Sequence, residues 1–218
     1  MAAEWYNFGI VNLTLGELTP VLIAISFAAG LNVYATVAAM GLLARAEALT
    51  LPPSLHLLES WPVIGACLVL FALEFAGDKI PVFDLVWNAL HTFVRVPVAA
   101  LLAYGATMQL SPGKQLACTF LGGLIALAAH SGKTAVRVAV TPSPEPFSNI
   151  SLSLGEDVLA VFLVWFATQH PYWAAAIVLV FLAVILIFAG FVFRSLRALL
   201  RGAEQILKGE GAGSRPAV

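Results

Sequence analysis

Charged side chains concentrate in one stretch of an otherwise apolar chain, from His130 to Asp157. Two cations, Lys133 and Arg137, lie one helical turn apart there, and the stretch ends in two adjacent acids. Because like charges on one helix face repel each other, they require carboxylates or a solute anion such as phosphate opposite them. Ionisable residues within membrane-length apolar sequence mark substrate and ion pathways. This stretch therefore predicts a polar site for an anion, a cation or a proton.

A second group of polar residues has helical spacing within the apolar run 81–108. Asp84, Asn88, His91 and Arg95 fall at positions i, i+4, i+7 and i+11, which is one face of a helix. In lipid, such a face must contact other protein segments or water. An internal hydrogen-bond network and the lining of a solute pathway both satisfy this requirement, and both interpretations stay open.

The first apolar run, 18–44, is interrupted by Gly30 and Asn32. Small residues let helices approach closely, and a buried amide can hydrogen-bond across the contact. The alternative is a partly unwound helix that lines a solute path, since irregular backbone at membrane depth is tolerated where it lines a cavity. The interruption predicts one of these two arrangements.

Glu74 and Asp78 form a second acidic feature near the end of another apolar run. At a spacing of i,i+4 they share a helix face, which is unfavourable unless a cation or a proton lies between them. Lys79 is the nearest cation in the sequence. The group is either a salt-bridge cluster at a helix end or an ion site.

The segment between the two charged ends of the first stretch is rich in proline. Alternating prolines in TPSPEPFSN, residues 141–149, predict irregular backbone, because each proline removes a backbone donor. Ser153 and Glu156 then match the S-x-x-E capping box, which would begin a helix at about 154. Glu156 thus has a structural explanation beside a role in transport, and Asp157 would suit the dipole of the same first turn.

The candidate residues for a substrate site or pathway share a polar or charged side chain within or beside an apolar run. They are Asn32, Glu74, Asp78, Lys79, Asp84, Asn88, His91, Arg95, His130, Lys133, Arg137, Glu145, Ser148, Asn149, Glu156 and Asp157. The chain contains no H-E-x-x-H or G-x-S-x-G motif, no phosphate-binding loop and no dinucleotide fingerprint. We therefore expect no enzyme, no catalytic residue and no cofactor.

Composition indicates which kind of protein positions these residues. Hydrophobic residues make up 61% of the chain and charged residues 11%, with a mean hydropathy of +0.94, whereas soluble domains carry roughly 25% charged residues. Since a span needs about 20 apolar residues, 218 residues accommodate about six. The sequence predicts an all-α, polytopic integral membrane protein with its two cysteines, Cys67 and Cys118, in the apolar core.

The hydropathy pattern divides the chain into two similar halves. The expected parts are an interfacial segment at 1–17, repeats at 18–108 and 109–200, and a basic, disordered tail at 201–218. The expected helices are 18–44, 61–76, 81–108, 116–140, 154–168 and 172–193. Each half has a long helix with a polar break, a polar loop with prolines, a shorter helix and a helix opening at a proline. Three spans per repeat require the second repeat to be inverted, as in secondary transporters with broken helices.

Cations are distributed unevenly along the chain. The C-terminal tail holds Arg194, Arg197, Arg201, Lys208 and Arg215. Cytoplasmic segments carry an excess of lysine and arginine, so the tail is expected in the cytoplasm, and six spans place the N-terminus there too. Anionic lipid is the nearest partner for a basic tail beside a membrane helix, so nucleic-acid binding is not expected.

Two stretches of the chain resemble a bacterial membrane protein family known as domain of unknown function 4126. They are EFAGDKIPVFDLVWNALHTFVRVPVAAL and AAHSGKTAVRVAVTPSPEPFSNISLSLGEDVLA, and the resemblance extends over about 28–165. Its most specific parts are SPEPFSN at 143–149, GED at 155–157 and DK-x-P-x-x-D at 78–84. Arg95-Val96-Pro97 departs from the adjacent Arg-Pro of many relatives. The resemblance implies a protein of the bacterial inner membrane and supplies no substrate.

Three functional hypotheses follow from the sequence. The first is a transporter or channel for a small solute or ion, with a charged site between the repeats. The second is a lipid flippase or scramblase, in which the cationic pair holds a phosphate headgroup. The third is a scaffold or subunit whose buried charges only form ion pairs that stabilise the fold. Because so small a bundle has little interior to bury a polar pathway, we also expect a homo-oligomer.

Overall fold

The computed structural model describes residues 15–77, 81–140 and 146–212, and within them it contains helices and no strand. The side chains at 15, 81–89, 138–140, 146–149, 196, 199 and 202–212 lie outside this description. The helices are α1 Leu15–Leu31, α2 Val33–Arg45, a 3₁₀ helix at Pro53–Glu59, α3 Trp61–Gly77, α4 Pro81–Ala106, α5 Pro112–Val140, α6 Pro146–Gln169 and α7 Pro171–Ala212. The all-helical class predicted from composition is therefore confirmed for these residues.

Prolines determine where several helices begin. Proline is the first residue of α4, α5, α6 and α7, a position at which its missing N–H group costs nothing. Only His170 separates α6 from α7, and its backbone N–H still donates to the carbonyl of Phe166 at 2.7 Å. The chain therefore passes from α6 to α7 with almost no loss of helical hydrogen bonding.

Asn32 interrupts the first long helix. Its backbone is extended, with φ −150° and ψ 105°, and its side chain accepts a hydrogen bond from the N–H of Ala35 as the N-cap of α2. On either side, Asn32 N–H donates to Ala28 and Thr36 N–H donates to Asn32, so the helical pattern resumes at once. The helix is broken at one residue by a side chain that replaces the backbone acceptor.

Small residues pack closely around this break. A Cβ atom on Gly30 would lie 2.7 Å from the Cβ of Ala129, and Ala28, Ala126 and Ala129 are fully buried. Helix α1 packs against α4, α5 and α6 and so forms the centre of the bundle. Both arrangements considered for Gly30 and Asn32, close packing and a broken helix, therefore occur together.

Among the residues that the structure describes, three helical stretches are long and apolar enough to cross a membrane: Pro112–Arg137, Ile150–Gln169 and Pro171–Ser195. A fourth results if the 3₁₀ helix and α3, which meet at 62°, are taken as one bent span. Helices of this length and composition are typical of an integral membrane protein.

Helix α6 begins earlier than the sequence predicted. The prediction of a capping box at Ser153 and Glu156 is wrong, because both residues lie well inside a helix that starts at Pro146. Residues 146–149, expected to be irregular, are its first turn, since a proline at the first helical position needs no acceptor. The helix expected at 116–140 is observed as α5, which is continuous from Pro112 to Val140 and carries the polar residues from His130 to Arg137.

The chain forms two compact units, Met1–Val180 and Phe181–Val218, and the boundary between them falls within α7. In the second unit, the apolar side chains of Leu186 and Ile187 are 67% and 69% exposed. The helix continues to Ala212, so residues 201–212, expected to be disordered, are helical. The expected interfacial segment at 1–17 lies mostly outside the described residues, and α1 begins at Leu15 within it.

Candidate functional site

Buried charged and polar side chains from four helices converge beside the break at Asn32. The charged cluster, as it is called below, consists of Glu74, Arg95, His130, Lys133, Arg137, Glu156 and Asp157. Glu74 lies on α3 and Arg95 on α4. Helix α5 carries His130, Lys133 and Arg137, and α6 carries Glu156 and Asp157. Glu74 and Arg95 are fully buried, and Lys133 and Arg137 are each 4% exposed. Charges at this depth are stable only when paired.

Two cations hold the end of α1. Lys133 Nζ donates to the carbonyl oxygen of Leu31 at 3.2 Å, and Arg95 Nη1 lies 3.5 Å from the carbonyl oxygen of Gly30. The last carbonyls of a helix have no partner within the helix and carry the negative end of its dipole. The break therefore exposes acceptors that the two cations satisfy.

A carboxylate faces the start of α2. The Asn32 side chain accepts from Ala35 N–H at 2.9 Å through Oδ1 and donates to Asp157 Oδ1 at 2.8 Å through Nδ2. A helix N-terminus carries the positive end of the dipole and favours a nearby anion. The two ends of the break are thus matched by charges of opposite sign, which come from α4 and α5 on one side and from α6 on the other.

The ion pairs form an alternating chain. Arg95 pairs with Oε1 of Glu74, and the same oxygen is 3.6 Å from Lys133 Nζ. Lys133 Nζ is also 3.2 Å from Oε2 of Glu156, which receives Arg137 Nη2 at 2.7 Å. Lys133 therefore lies between two carboxylates, and Glu156 lies between two cations. An alternating order of this kind lets buried charges neutralise one another.

Two histidines extend the polar network through α4 and α5. Arg95 Nη1 donates to His130 Nδ1 at 2.8 Å, since arginine only donates. His91, on the same face of α4 as Arg95, lies 3.1 Å through Nε2 from the hydroxyl of Tyr34. Their rings meet edge to face at 5.5 Å.

An apolar cavity adjoins Tyr34. It has a volume of about 540 Å³ and lies between α2, the 3₁₀ helix, α3 and α4. Most of its wall is aliphatic, including Val37, Leu57 and Val94, and Tyr34 contributes both to this wall and to the contact with His91. Its volume is within the range of about 300–1,000 Å³ that is typical of ligand sites. Tyr34 therefore contacts both the apolar cavity and His91.

The structure brings together most of the predicted residues whose side chains it describes. Asn32, Glu74, Arg95, His130, Lys133, Arg137, Glu156 and Asp157 belong to one network, and His91 lies beside it. The other predicted side chains, which are Asp78, Lys79, Asp84, Asn88, Glu145, Ser148 and Asn149, fall outside the described part of the chain. The i,i+4 spacing of His91 with Arg95 and of Lys133 with Arg137 therefore located buried faces.

Sequence reasoning missed Tyr34 and the carbonyl groups of Gly30 and Leu31. Tyr34 follows the polar interruption by two residues, so its position was a usable signal, although tyrosine is common in apolar cores. The carbonyls have no signature in the sequence, because every residue carries one. Their exposure depends on the broken helix, and only the structure reveals it.

No group of three or more metal-binding side chains occurs among the described residues. Cys67 and Cys118 are free and half-buried, so they lie at the margin of the core rather than within it. The charged cluster consists mainly of paired cations and carboxylates.

A family model described as Domain of unknown function (DUF4126) matches residues 20–190. The chain belongs to this family. The match includes every residue of the charged cluster and the break at Asn32, so the resemblance predicted from SPEPFSN and GED is confirmed. No curated protein and no solved structure matches the chain. The charged cluster therefore lies within the segment that defines the DUF4126 family.

Proposed function

We propose that this protein is a secondary transporter or channel for a small solute or ion, and that the charged cluster is its binding site. The observation that carries the proposal is a broken helix whose two ends are held by buried charges of opposite sign. Secondary transporters bind substrates and coupling ions at such discontinuous helices near the middle of the membrane. Non-helical backbone in a membrane protein is tolerated where other protein segments bury it or where it lines a cavity.

The proposed architecture is two inverted repeats that together cross the membrane six times. Both halves contain a helix–helix junction followed by a proline, at Pro81 and at Pro171. The cluster also draws on both halves, because Glu74 and Arg95 come from the first and Lys133 and Asp157 from the second. A site made by both repeats is the arrangement that alternating access requires.

The proposed setting is the bacterial inner membrane, with both termini in the cytoplasm. Arg194, Arg197 and Arg201 follow the apolar stretch of α7 directly, which supports a cytoplasmic C-terminus. The exposed apolar side chains of α7, such as Leu186, suit lipid or a second copy of the chain, so we propose a homo-oligomer.

Lipid transport is the second candidate function, and the apolar cavity beside Tyr34 favours it. A cavity of about 540 Å³ with aliphatic walls suits an acyl chain. Its contact with the polar network through Tyr34 and His91 offers a place for a headgroup. In this alternative, the protein transports the same membrane lipid that surrounds it.

The test records electrical currents from proteoliposomes on a solid-supported membrane. The concentration of inorganic cations, phosphate or small carboxylates, or the pH, is changed in a single rapid step. We expect one solute class to give a saturable current in the wild type and none in Lys133→Met, which keeps the apolar stem and removes the charge. Lys114→Met is the matched control, because Lys114 is an exposed lysine on the same helix.

Unchanged current in a folded Lys133→Met protein would contradict the transporter hypothesis. Movement of fluorescent phospholipid between leaflets, without any solute current, would instead favour the lipid alternative. A wild type that is folded and inactive in both assays would favour the scaffold, in which the buried charges only form ion pairs that stabilise the fold.

A further inference from the structure

Glu156 occupies what chemically is a carboxylate-binding site. Its Oε2 atom receives Lys133 Nζ at 3.2 Å and Arg137 Nη2 at 2.7 Å, both from α5. A lysine and an arginine converging on one carboxylate oxygen are the groups that proteins use to bind carboxylate ligands. Here the occupant is a side chain of the protein itself.

Among the three carboxylates of the charged cluster, Glu156 is the most accessible. Its side chain is 12% exposed, while that of Glu74 is fully buried. Asp157 is 5% exposed and is bonded to Asn32, the residue that caps α2. Glu156 bonds only to the two cations of α5 within the described residues, so it can leave without disturbing the broken helix. The surface of α6 next to it is open at Gly155.

We propose that Lys133 and Arg137 bind the carboxylate group of a small monoanionic solute, and that Glu156 occupies their site when no solute is bound. This inference rests on the transporter function proposed above and names its substrate class. The internal occupant carries one negative charge on a carboxylate group, and a solute that replaces it must match that geometry and charge. Glu74 and Asp157 stand nearby and disfavour a second negative charge on the solute.

Displacement of Glu156 couples the solute to a proton. Glu156 faces Lys133 and Arg137 on α5. Glu74 lies on the other side of Lys133, and Asp157 is the next residue on the helix of Glu156. Once the solute carboxylate takes the two cations, the displaced Glu156 is a partly buried carboxylate near other acids. The charged cluster holds three cationic side chains and three carboxylates, so an added anion would leave an uncompensated buried charge. One anion and one proton enter together, so the net charge of the site does not change.

The first experiment measures binding of acetate to the detergent-purified, full-length protein by thermal shift, at constant ionic strength set with chloride. Glu156→Gln keeps the shape of the internal occupant and removes its charge, so we expect acetate to bind roughly tenfold more tightly than to the wild type. Arg137→Met should abolish the acetate shift. Glu47→Gln, an exposed acid outside the cluster, is the control and should bind acetate as the wild type does.

The second experiment measures proton uptake when acetate is added to the wild type in weakly buffered solution with a pH indicator. We expect about one proton per acetate bound, from the exchange described above, and none in Glu156→Gln. This readout needs no variant, so a Glu156→Gln protein that fails to fold leaves the test intact. Acetate binding without proton uptake by the wild type would overturn the proposal.

The remaining outcomes separate this inference from the general function. Equal or weaker acetate binding by folded Glu156→Gln, or a saturable shift with phosphate alone, would overturn the carboxylate site even if another solute gives currents. Tight acetate binding with proton uptake, in a protein that carries no current, would support the site and refute the transporter function.

Discussion

Two polar stretches of the molecule, 30–36 in the first half and 130–137 in the second, look alike in sequence and differ in structure. The first is a broken helix with short side chains, and the second is an uninterrupted helix with long cationic ones. They meet where Lys133 reaches the carbonyl of Leu31. The difference teaches that the first half supplies the backbone carbonyls at the break, which Lys133 of the second half and Arg95 of the first half contact.

The strongest way to break this complementarity is Glu74→Gln. Glu74 is fully buried and pairs with Arg95 and Lys133, the two cations that hold the end of α1. Removing one partner of a buried ion pair costs about 3–5 kcal/mol, because the other charge stays buried and uncompensated. Unfolding in detergent, followed by intrinsic fluorescence, measures the loss.

Two further variants serve as controls for this prediction. Glu156→Gln should cost much less, because Glu156 is partly exposed and contacts neither end of the break. The double variant Glu74→Gln with Arg95→Met should be more stable than the sum of the two single changes implies. Additive effects would mean that Glu74 and Arg95 do not act as a pair.

The second prediction concerns the close approach that lets the two stretches touch. Gly30→Ala places a Cβ atom 2.7 Å from the Cβ of Ala129, so α1 and α5 must separate. Overpacking of this kind costs about 1–3 kcal/mol, and it should also lengthen the contact of Lys133 with Leu31. The midpoint of denaturant unfolding measures the effect.

Gly65→Ala is the matched control for Gly30→Ala. Gly65 lies inside α3, and a Cβ atom added to it would have no neighbouring atom within 4 Å. Alanine is the better helix former there, by about 0.5–1 kcal/mol. A similar loss of stability in both variants would show that the packing of α1 on α5 is not specific.

The third prediction has the smallest expected effect and compares a side-chain hydrogen bond at the break with one inside the continuous helix α5. Asn32→Ala removes the cap of α2 and the bond to Asp157 and should cost about 0.5–2 kcal/mol. Thr134→Val removes a bond to the His130 carbonyl within the continuous α5, where the backbone is already paired, and should cost less. Hydrogen exchange of the amide of Ala35 reports the loss of the cap directly. Unaltered exchange there in Asn32→Ala would contradict the role of Asn32.

Most of the helices could be predicted from sequence, because apolar runs and prolines mark them independently of tertiary structure. The start of α3 at Trp61 and of α7 at Pro171 are examples. Helix α6 was mispredicted, since Ser153 and Glu156 match a capping pattern whose meaning depends on where the helix begins. Pro146 begins it, and local rules did not distinguish the last proline of a series from the others.

The residues of the charged cluster could be predicted from the sequence, but the ion pairs between them could not. Charge within an apolar chain identified Glu74, Arg95 and Lys133, since burial of a charge is costly whatever its partner. That Arg95 pairs with Glu74, from another helix, depends on how α3 and α4 pack, and sequence spacing does not contain this information. The role of Gly30 and Leu31 carbonyls likewise follows from the break alone.

The ammonium group of Lys133 has three hydrogens, and oxygens of Leu31, Glu74 and Glu156 are among the acceptors that lie close to it. Any new acceptor must therefore take the place of one already there, so that binding at this lysine is an exchange rather than an addition. If the protein is the transporter proposed above, this lysine would admit an anion only in exchange for a partner that it already holds.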